Sequence, residues 1–482
     1  MIEENAAGTV RMADPSGKWI VAGAVLGSAV VALDATVVNV ALPTIGRDLH
    51  AGVTGLQWTI DGYLVTLAAL ILPGGSLGDR FGRRRIFLLG LAWFAAASLL
   101  CGIAPNIGVL IAARTLQGVG GALLTPASLA IIQATFHPDD RGRAIGAWSG
   151  LGGIATAAGP LAGGWLVDAV SWRVIFLLNL PLAAIAAAVA LRHVPESTDP
   201  SVSGRVDIVG AVLIALGLAG VTYGLIEASW GPALPGLAAL AAFVVYERRE
   251  SHPMLPLDIF ASRQFTGANV ATFAIYGSLG GVFFLFVVFL QTSLHYSPLK
   301  AGAASLPITL LMLTLSSRAG ALAQRIGPRR PMTFGPMIVA LGILGFSQIN
   351  PGDHYATSVL PAVVVFGLGL SLTVAPLTAT VLAAADVRHA GVASGVNNAV
   401  ARAAGLLTVA ALPAIVGITG ADYRRPSALT DGFHTAAWLT AALALAGGLV
   451  AWATIRDDEH VAPAPERHHS HCPLDAPPLR AA

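Results

Sequence analysis

Five charged residues stand inside long apolar runs of this chain: Asp34, Asp61, Arg114, Glu227 and Arg402. A charged side chain in hydrocarbon is costly and marks a pathway, a relay or a buried pair. Asp34 lies about seven to nine residues from the outer end of the first run and Arg114 about seven from the outer end of the fourth. At about 1.5 Å per residue both are roughly 10 to 13 Å deep, so they can share a layer. Asp61 lies about four residues into the second run, within reach of that layer through Tyr63 or water. Apolar surroundings favour a neutral acid and a neighbouring guanidinium favours the carboxylate, a contest that poises such a group for proton uptake and release. A permanent Asp34–Arg114 pair that only ties two helices together is the alternative, and for Asp61 a hydrated carboxylate near the interface. Glu227, just ahead of Trp230, reads as an interfacial anchor.

Other polar and small residues surround these charges. Gln117 and Gly118 follow Arg114 by three and four residues and share its helix face. Gly118, Gly120 and Gly121 let a neighbouring helix approach. GPLAGG, residues 159 to 164, puts Pro160 between Gly159 and the pair Gly163 and Gly164, which suggests a bent, closely packed helix. Residues 74 to 85, GGSLGDRFGRRR, read as a loop whose Asp79 could face the positive N-terminal end of a helix elsewhere in one conformation and leave it in another. The plainer reading of Arg80 and Arg83 to Arg85 is a topological anchor. Arg402 is near mid-membrane with Asn398 one turn earlier. No acid at that depth follows in the second half, so its partner is a backbone carbonyl, the other half or an anionic ligand. Asn39, Gln117, Asn398 and Arg402 are the candidate cavity lining. The aromatic run at 281 to 290 reads as core or lipid-facing, and RHHSHC at 467 to 472 as solvated tail, since its spacing matches no closed zinc site.

The elements that position these residues follow from composition. Of 482 residues 55% are hydrophobic and only 11% charged, with mean hydropathy +0.72. A soluble chain carries about 25% charged residues, so this is an all-α membrane protein with little room for a soluble domain. Fourteen spans are expected: 19–41, 57–77, 86–104, 107–132, 144–167, 174–192, 208–228, 232–246, 268–290, 301–322, 332–349, 357–382, 392–418 and 433–454. On these boundaries 20 basic residues fall on the side of the N-terminus, 5 on the other and 3 within spans, which places both termini in the cytoplasm. AGALAQRIGPRR at 319 to 330 repeats the 74 to 85 segment, aligning Gly327 with Gly82. The layout is a cytoplasmic N-terminus (1–18), a six-helix bundle (19–192), a linker region with two extra spans (193–264), a second six-helix bundle (265–454) and a disordered cytoplasmic tail (455–482). The net charge of +2 gives no basis for nucleic-acid binding. Lys18 and Lys300 are followed by Trp19 and Ala301, so no phosphate-cradling Gly-Lys-Ser/Thr loop is present and no ATP site of that type. Cys101 and Cys472, the two cysteines, fall on opposite faces and form no disulfide framework.

LDATVVNVALP (33–43), GSLGDRFGRRR (75–85), RTLQGVGGA (114–122), SWRVIFLLNLP (171–181) and GVASGVNNAVARAAG (391–405) occur in this order at the expected spans. Together they resemble the 14-span drug:proton antiporter branch of the major facilitator superfamily, over nearly the whole chain. The resemblance implies that Asp34 is the coupling carboxylate, with Arg114 as its relay partner and Asp61 nearby. It further implies a conformational gate of Gly75, Asp79, Arg80, Gly82 and Arg83, and an antiporter motif of Gly146, Gly159, Pro160, Gly163 and Gly164. Three positions depart from the pattern. Ala155 replaces a frequent glycine and stiffens its helix, Gln324 replaces an acid and weakens any second charged latch, and Val174 replaces a frequent tryptophan.

The expectation is a proton-driven exporter of hydrophobic or amphipathic drugs in the cytoplasmic membrane. It is a monomer, no enzyme, and uses the proton gradient in place of a cofactor. A proton-coupled or facilitative nutrient importer shares the fold, and a non-transporting membrane sensor or assembly partner is the reading from another class. The span 5 motif favours export.

Overall fold

The computed structural model describes residues 10–199, 206–251, 253–384 and 390–457. The tail motif at 467 to 472, with Cys472, lies outside the described residues. Fourteen long helices follow in chain order: α1 (Pro15–Asp48), α2 (Val53–Phe81), α3 (Arg83–Gly102), α4 (Ile107–Thr135), α5 (Pro138–Ala169), α6 (Trp172–His193), α7 (Ile208–Ile226), α8 (Trp230–Glu247), α9 (Arg263–Thr292), α10 (Pro298–Ile326), α11 (Arg329–Phe346), α12 (Tyr355–Ala383), α13 (Ala390–Ile415) and α14 (Pro426–Thr454). Among the described residues thirteen of them are long and apolar enough to cross a bilayer. The other, α11, opens on Arg329, Arg330 and Pro331, which lowers its hydropathy, yet it packs between α12 and α14 as a member of the bundle. The chain is a multi-pass membrane protein.

Several helices outrun the expected spans. Pro138 starts α5 six residues earlier than expected, because proline suits the first helical position and Asp139 and Asp140 complement the exposed N–H groups of the first turn. The segment from 74 read as a loop is helical up to Phe81, so Gly75, Asp79 and Arg80 are helix residues and the turn is Gly82. Gly82 has φ 110° and its repeat partner Gly327 has φ 85°, a backbone region that disfavours any side chain. The helix breaks at Leu178 in α6 and at Ser305 in α10. Pro181 and Pro307 lack the N–H that would bond Leu177 and Ala303.

Helices α1 to α6 pack mainly on one another, and α9 to α14 do likewise. The two groups meet along α2 with α13, α5 with α10, and α1 with α9. The α7–α8 pair lies on the α2/α13 seam, where Leu218 is buried with Val65, Ala68, Ala69 and Leu406. The aromatic run of α9 is core: Phe286 stacks on Phe346 with ring centroids 4.6 Å apart, and Phe289 on Phe433 at 4.3 Å.

Both α1 and α14 have their chain-terminal ends on one face, here the terminal face. Hydrogen bonds between the two groups gather toward the opposite one. Gln57 Nε2 donates to the carbonyls of Val409 and Ala410 at 2.9 and 2.8 Å, and Gln291 Nε2 to Val40 O at 2.8 Å. Tyr423 Oη donates to Ala51 O at 2.9 Å and Arg424 Nη2 to Gly46 O at 2.7 Å. One strip of α5 faces α10. A Cβ at Gly164 would meet Leu299 Cα at 2.7 Å and one at Gly153 the Leu313 side chain at 3.5 Å, but at Gly150 and Gly146 nothing lies within 4 Å. The helices therefore diverge toward the terminal face, and a cleft opens there.

Candidate functional site: a sealed charge cluster beside the cleft

Five helices deliver polar groups to one apolar layer. Asp34 of α1 and Arg114 of α4 are 2% and 1% exposed, with Arg114 Nη1 2.5 Å from Asp34 Oδ2. The other carboxylate oxygen, Oδ1, accepts from Gln117 Nε2 at 2.9 Å and from Asn179 Nδ2 of α6 at 3.0 Å. Ser98 Oγ of α3 accepts from the same two amides at 2.8 and 3.3 Å. Arg114 Nη1 also donates to Gln117 Oε1 at 2.5 Å, and Nε to the Thr59 carbonyl of α2 at 3.0 Å. Its guanidinium lies over the Tyr63 ring, 4.3 Å from the centroid.

The local sequence explains how these helices come so close. Gly120 of α4 lies where a Cβ would stand 2.8 Å from the Phe94 nitrogen, so only glycine lets α3 and α4 approach at this depth. A buried ion pair repays desolvation only when the remaining polar atoms are satisfied. Gln117 and Asn179 provide that satisfaction for Asp34, and Ser98 Oγ accepts from both amides and so fixes them in place.

Asp61 is also fully buried, and neither carboxylate oxygen has a hydrogen-bond partner among the described residues. It lies between Gln57 and Val65 at four-residue spacing, on the face of α2 that meets α13. The structure thus joins Asp34, Arg114 and Gln117 and leaves Asp61 outside their network. Asn39 is half-buried and donates to Ala35 O, and Asn398 is exposed and donates to Ser394 O. Arg402 is half-buried and makes no hydrogen bond with any described residue. Glu227 caps the end of α7, next to the α8 start at Trp230.

At the terminal end of α2, Asp79 Oδ1 accepts from Arg83 Nε at 2.9 Å and lies 2.7 Å from Nη2, a pairing within its own turn. Arg80 lies beside Phe81, 5.9 Å from the ring centroid. Glu196 clasps the same turn, accepting from the backbone N–H groups of Arg84 and Arg85 at 3.0 and 3.2 Å. In α5, Gly159 packs on Thr36 and Gly163 on Val37 of α1, while Pro160 and Gly164 meet the start of α10 and Gly146 stays uncovered. Ser98, Asn179, Thr59 and Glu196 were not singled out from the sequence. Asn179 had a signal, a lone amide in the apolar run VIFLLNLP, whereas Ser98 in AAASLL had none.

This fold, a multi-helical membrane bundle in two groups with a cleft between them, is that of a membrane transporter. Residues 24–410 match the Major Facilitator Superfamily, and the chain belongs to it. It is 36% identical over 454 residues to a puromycin resistance protein of Streptomyces alboniger, covering 91% of this chain and 90% of that one. It is 33% identical over 397 residues to the tetracenomycin C resistance and export protein of Streptomyces glaucescens, covering 80% of this chain and 73% of that one. Among solved structures, a bacterial homolog of the human lysosomal transporter Spinster, in an inward-facing and unoccupied conformation, superposes with a TM-score of 0.65 at 16% identity over 92% of this chain and 97% of that one. A POT peptide transporter superposes with a TM-score of 0.67 at 15% identity over 93% and 98%. Both structures speak for the fold.

Proposed function

We propose that this protein exports hydrophobic or amphipathic drugs across the cytoplasmic membrane in exchange for protons, as a monomer with both termini in the cytoplasm. The observation that carries the coupling is the Asp34 carboxylate, sealed from solvent between the Arg114 guanidinium and two amides. Resistance and export relatives of similar length support the direction. Excess Lys and Arg on the terminal face supports the orientation, which makes the cleft cytoplasmic and the conformation the drug-loading one.

In this cycle the α1–α6 and α9–α14 bundles rock about the cleft, with α7 and α8 riding on the α2/α13 seam. A donor-free carboxylate buried at Asp61 would be costly, so Asp61 holds its proton in this conformation. Asp34 accepts a proton when the cleft opens outward, and Arg114, freed from its pair, stays held by Gln117, the Thr59 carbonyl and the Tyr63 face. Gly75, Asp79, Arg80, Gly82 and Arg83 form the gate on the terminal face: Asp79 leaves Arg83 for the N-terminal end of α13 when that face closes. Gly159, Pro160, Gly163 and Gly164 let α5 pivot on α1 and α10, with Gly146 closing on α10 in the other state. Asn39, Gln117, Asn398 and Arg402 border the drug path.

The test is efflux of a fluorescent lipophilic dye from energised cells, with and without a protonophore, for the wild type and Asp34→Asn. Protonophore-sensitive efflux that disappears in the variant is expected. Dye accumulation driven by the protein would instead identify an importer.

A further inference from the structure

We infer that Arg402 recognises an oxyanion on the transported molecule, so that the cleft takes compounds bearing a carboxylate or an acidic phenol. This deepens the export reading and rests on it for the word transported, but the binding claim stands separately.

Arg402 is twelve residues from the start of α13 and thirteen from its end, at mid-bilayer. It makes no hydrogen bond or ion pair with any described residue. The other two intramembrane arginines are satisfied: Arg114 by Asp34, and Arg318 by the Thr314 carbonyl at 2.8 Å. A guanidinium cannot shed its charge and is strongly disfavoured in hydrocarbon without a counter-ion. The second helix group supplies none, because α9 to α13 contain no Asp or Glu and α14 has only Asp431, near its opposite end.

The neighbours of Arg402 along α13 place it against α2. Seven residues earlier, Gly395 touches Leu72 of α2, and four residues later Leu406 is buried with Val65, Ala68 and Ala69. Arg402 therefore lies on the α2-facing strip of α13, at the seam between the groups, and is half-buried there. The elements packed against this strip are α2, α7 and α9, and apolar Leu218, with Ile214 and Ala215 around it, lies beside Leu406. Asp61 lies one turn nearer the opposite face, and Asp34 is already taken by Arg114. A planar guanidinium with no partner of its own, set among apolar side chains, suits an acidic molecule with an apolar body: two parallel N–H donors for the oxyanion and apolar walls for the rest.

The experiment measures equilibrium binding to the purified full-length protein in detergent by fluorescence polarisation. Two probes share a xanthene skeleton, anionic fluorescein and cationic rhodamine 6G. The expected result is fluorescein binding by the wild type, weakened about tenfold or more in Arg402→Gln and partly restored in Arg402→Lys, as loss of a charge-assisted bidentate contact requires. Rhodamine 6G, a cation with no oxyanion for the guanidinium to hold, should not lose affinity in either variant. Failure of the wild type to bind fluorescein overturns the proposal, as does a Gln variant that weakens both probes alike, which is the signature of a structural Arg402 or of one engaged by Asp61. Arg402→Lys keeps the charge in place should the Gln variant unfold. Because binding needs no proton gradient, absent transport in proteoliposomes would count against the export reading and leave this result standing.

Discussion

Asp34 is sealed inside the first helix group and Asp61 at its seam with the second, yet three donors converge on Asp34 and none among the described residues reaches Asp61. The donors to Asp34 come from Arg114, Gln117 and Asn179. Two carboxyl groups of the same type therefore sit in opposite hydrogen-bonding surroundings in a single conformation, the contrast on which the proposed proton coupling rests.

Replacing Asp34 by Asn leaves Arg114 buried without a counter-charge, and breaking a buried pair this way costs about 3–5 kcal/mol. Proton-driven efflux is expected to be lost together with a clear drop in thermal stability. Adding Arg114→Gln removes the stranded charge, so the double variant should regain stability while efflux stays absent. Thermal unfolding in detergent and dye efflux from cells read the two effects separately. Efflux returning in the double variant would show that Asp34 serves structure alone.

Asp61→Asn should behave differently. An amide is close in shape to a neutral acid, so stability is expected to change by less than about 1 kcal/mol, while coupled efflux falls by about tenfold or more. A loss of stability as large as that in Asp34→Asn would mean that Asp61 is charged and held by a partner in the folded protein.

Much of this was legible in the sequence, and the parts that were not share a cause. Charges inside apolar runs announce themselves, so the depth match between Asp34 and Arg114 led directly to the observed pair. The fourteen helices were readable from hydropathy, including α11, whose paired arginines pull its average down. Asn179, Ser98 and Thr59 complete the cluster from helices distant in sequence, and nothing in linear spacing reports a convergence of five helices. Residues 74–81 were read as loop because glycines are frequent there; α2 stays helical through them, Gly74 letting the Ala122 backbone come close, and only Gly82 has a positive φ. Glu196 was passed over as part of a polar linker, although it ties down the turn at Gly82 that follows Asp79 and Arg80.

The α5–α10 contact sets which face is closed. Even a methyl group at Gly164 would stand 2.7 Å from Leu299 Cα and Pro298 O, so Gly164→Ala must push these helices apart on the opposite face. The population should shift toward the conformation closed on the terminal face. A reporter in place of Gly150, which has open space around it here, reads this: in a background lacking Cys101 and Cys472, Gly150→Cys should react freely with a thiol reagent and become protected by about tenfold when Gly164→Ala is added. Unchanged reactivity would show that the glycine strip does not set the equilibrium.

A short loop adds to the ties on the opposite face. Arg424 Nη2 donates to Gly46 O at 2.7 Å and Ala51 O at 3.0 Å, which ties the loop before α14 to the turn between α1 and α2. Arg424→Ala should loosen that tie, and a cysteine replacing the buried Leu412 should then gain about tenfold in labelling, normalised to unfolded protein at each pH. The loop is shaped by Asp422, which accepts from Thr419 N and Oγ1, both at 3.1 Å, and pairs with Arg425. The Arg425 guanidinium, with the Thr419 hydrogen bonds, holds the Asp422 carboxyl below the usual carboxylate range. A depressed value in the folded state means that the contribution is in force above the ordinary value of about 4 and fades only as pH falls through the depressed one. The tie should therefore be as firm at an external pH of about 5 as at about 7. Wild-type Leu412→Cys labelling that rose over that interval would show that some other group, not Asp422, governs the loop.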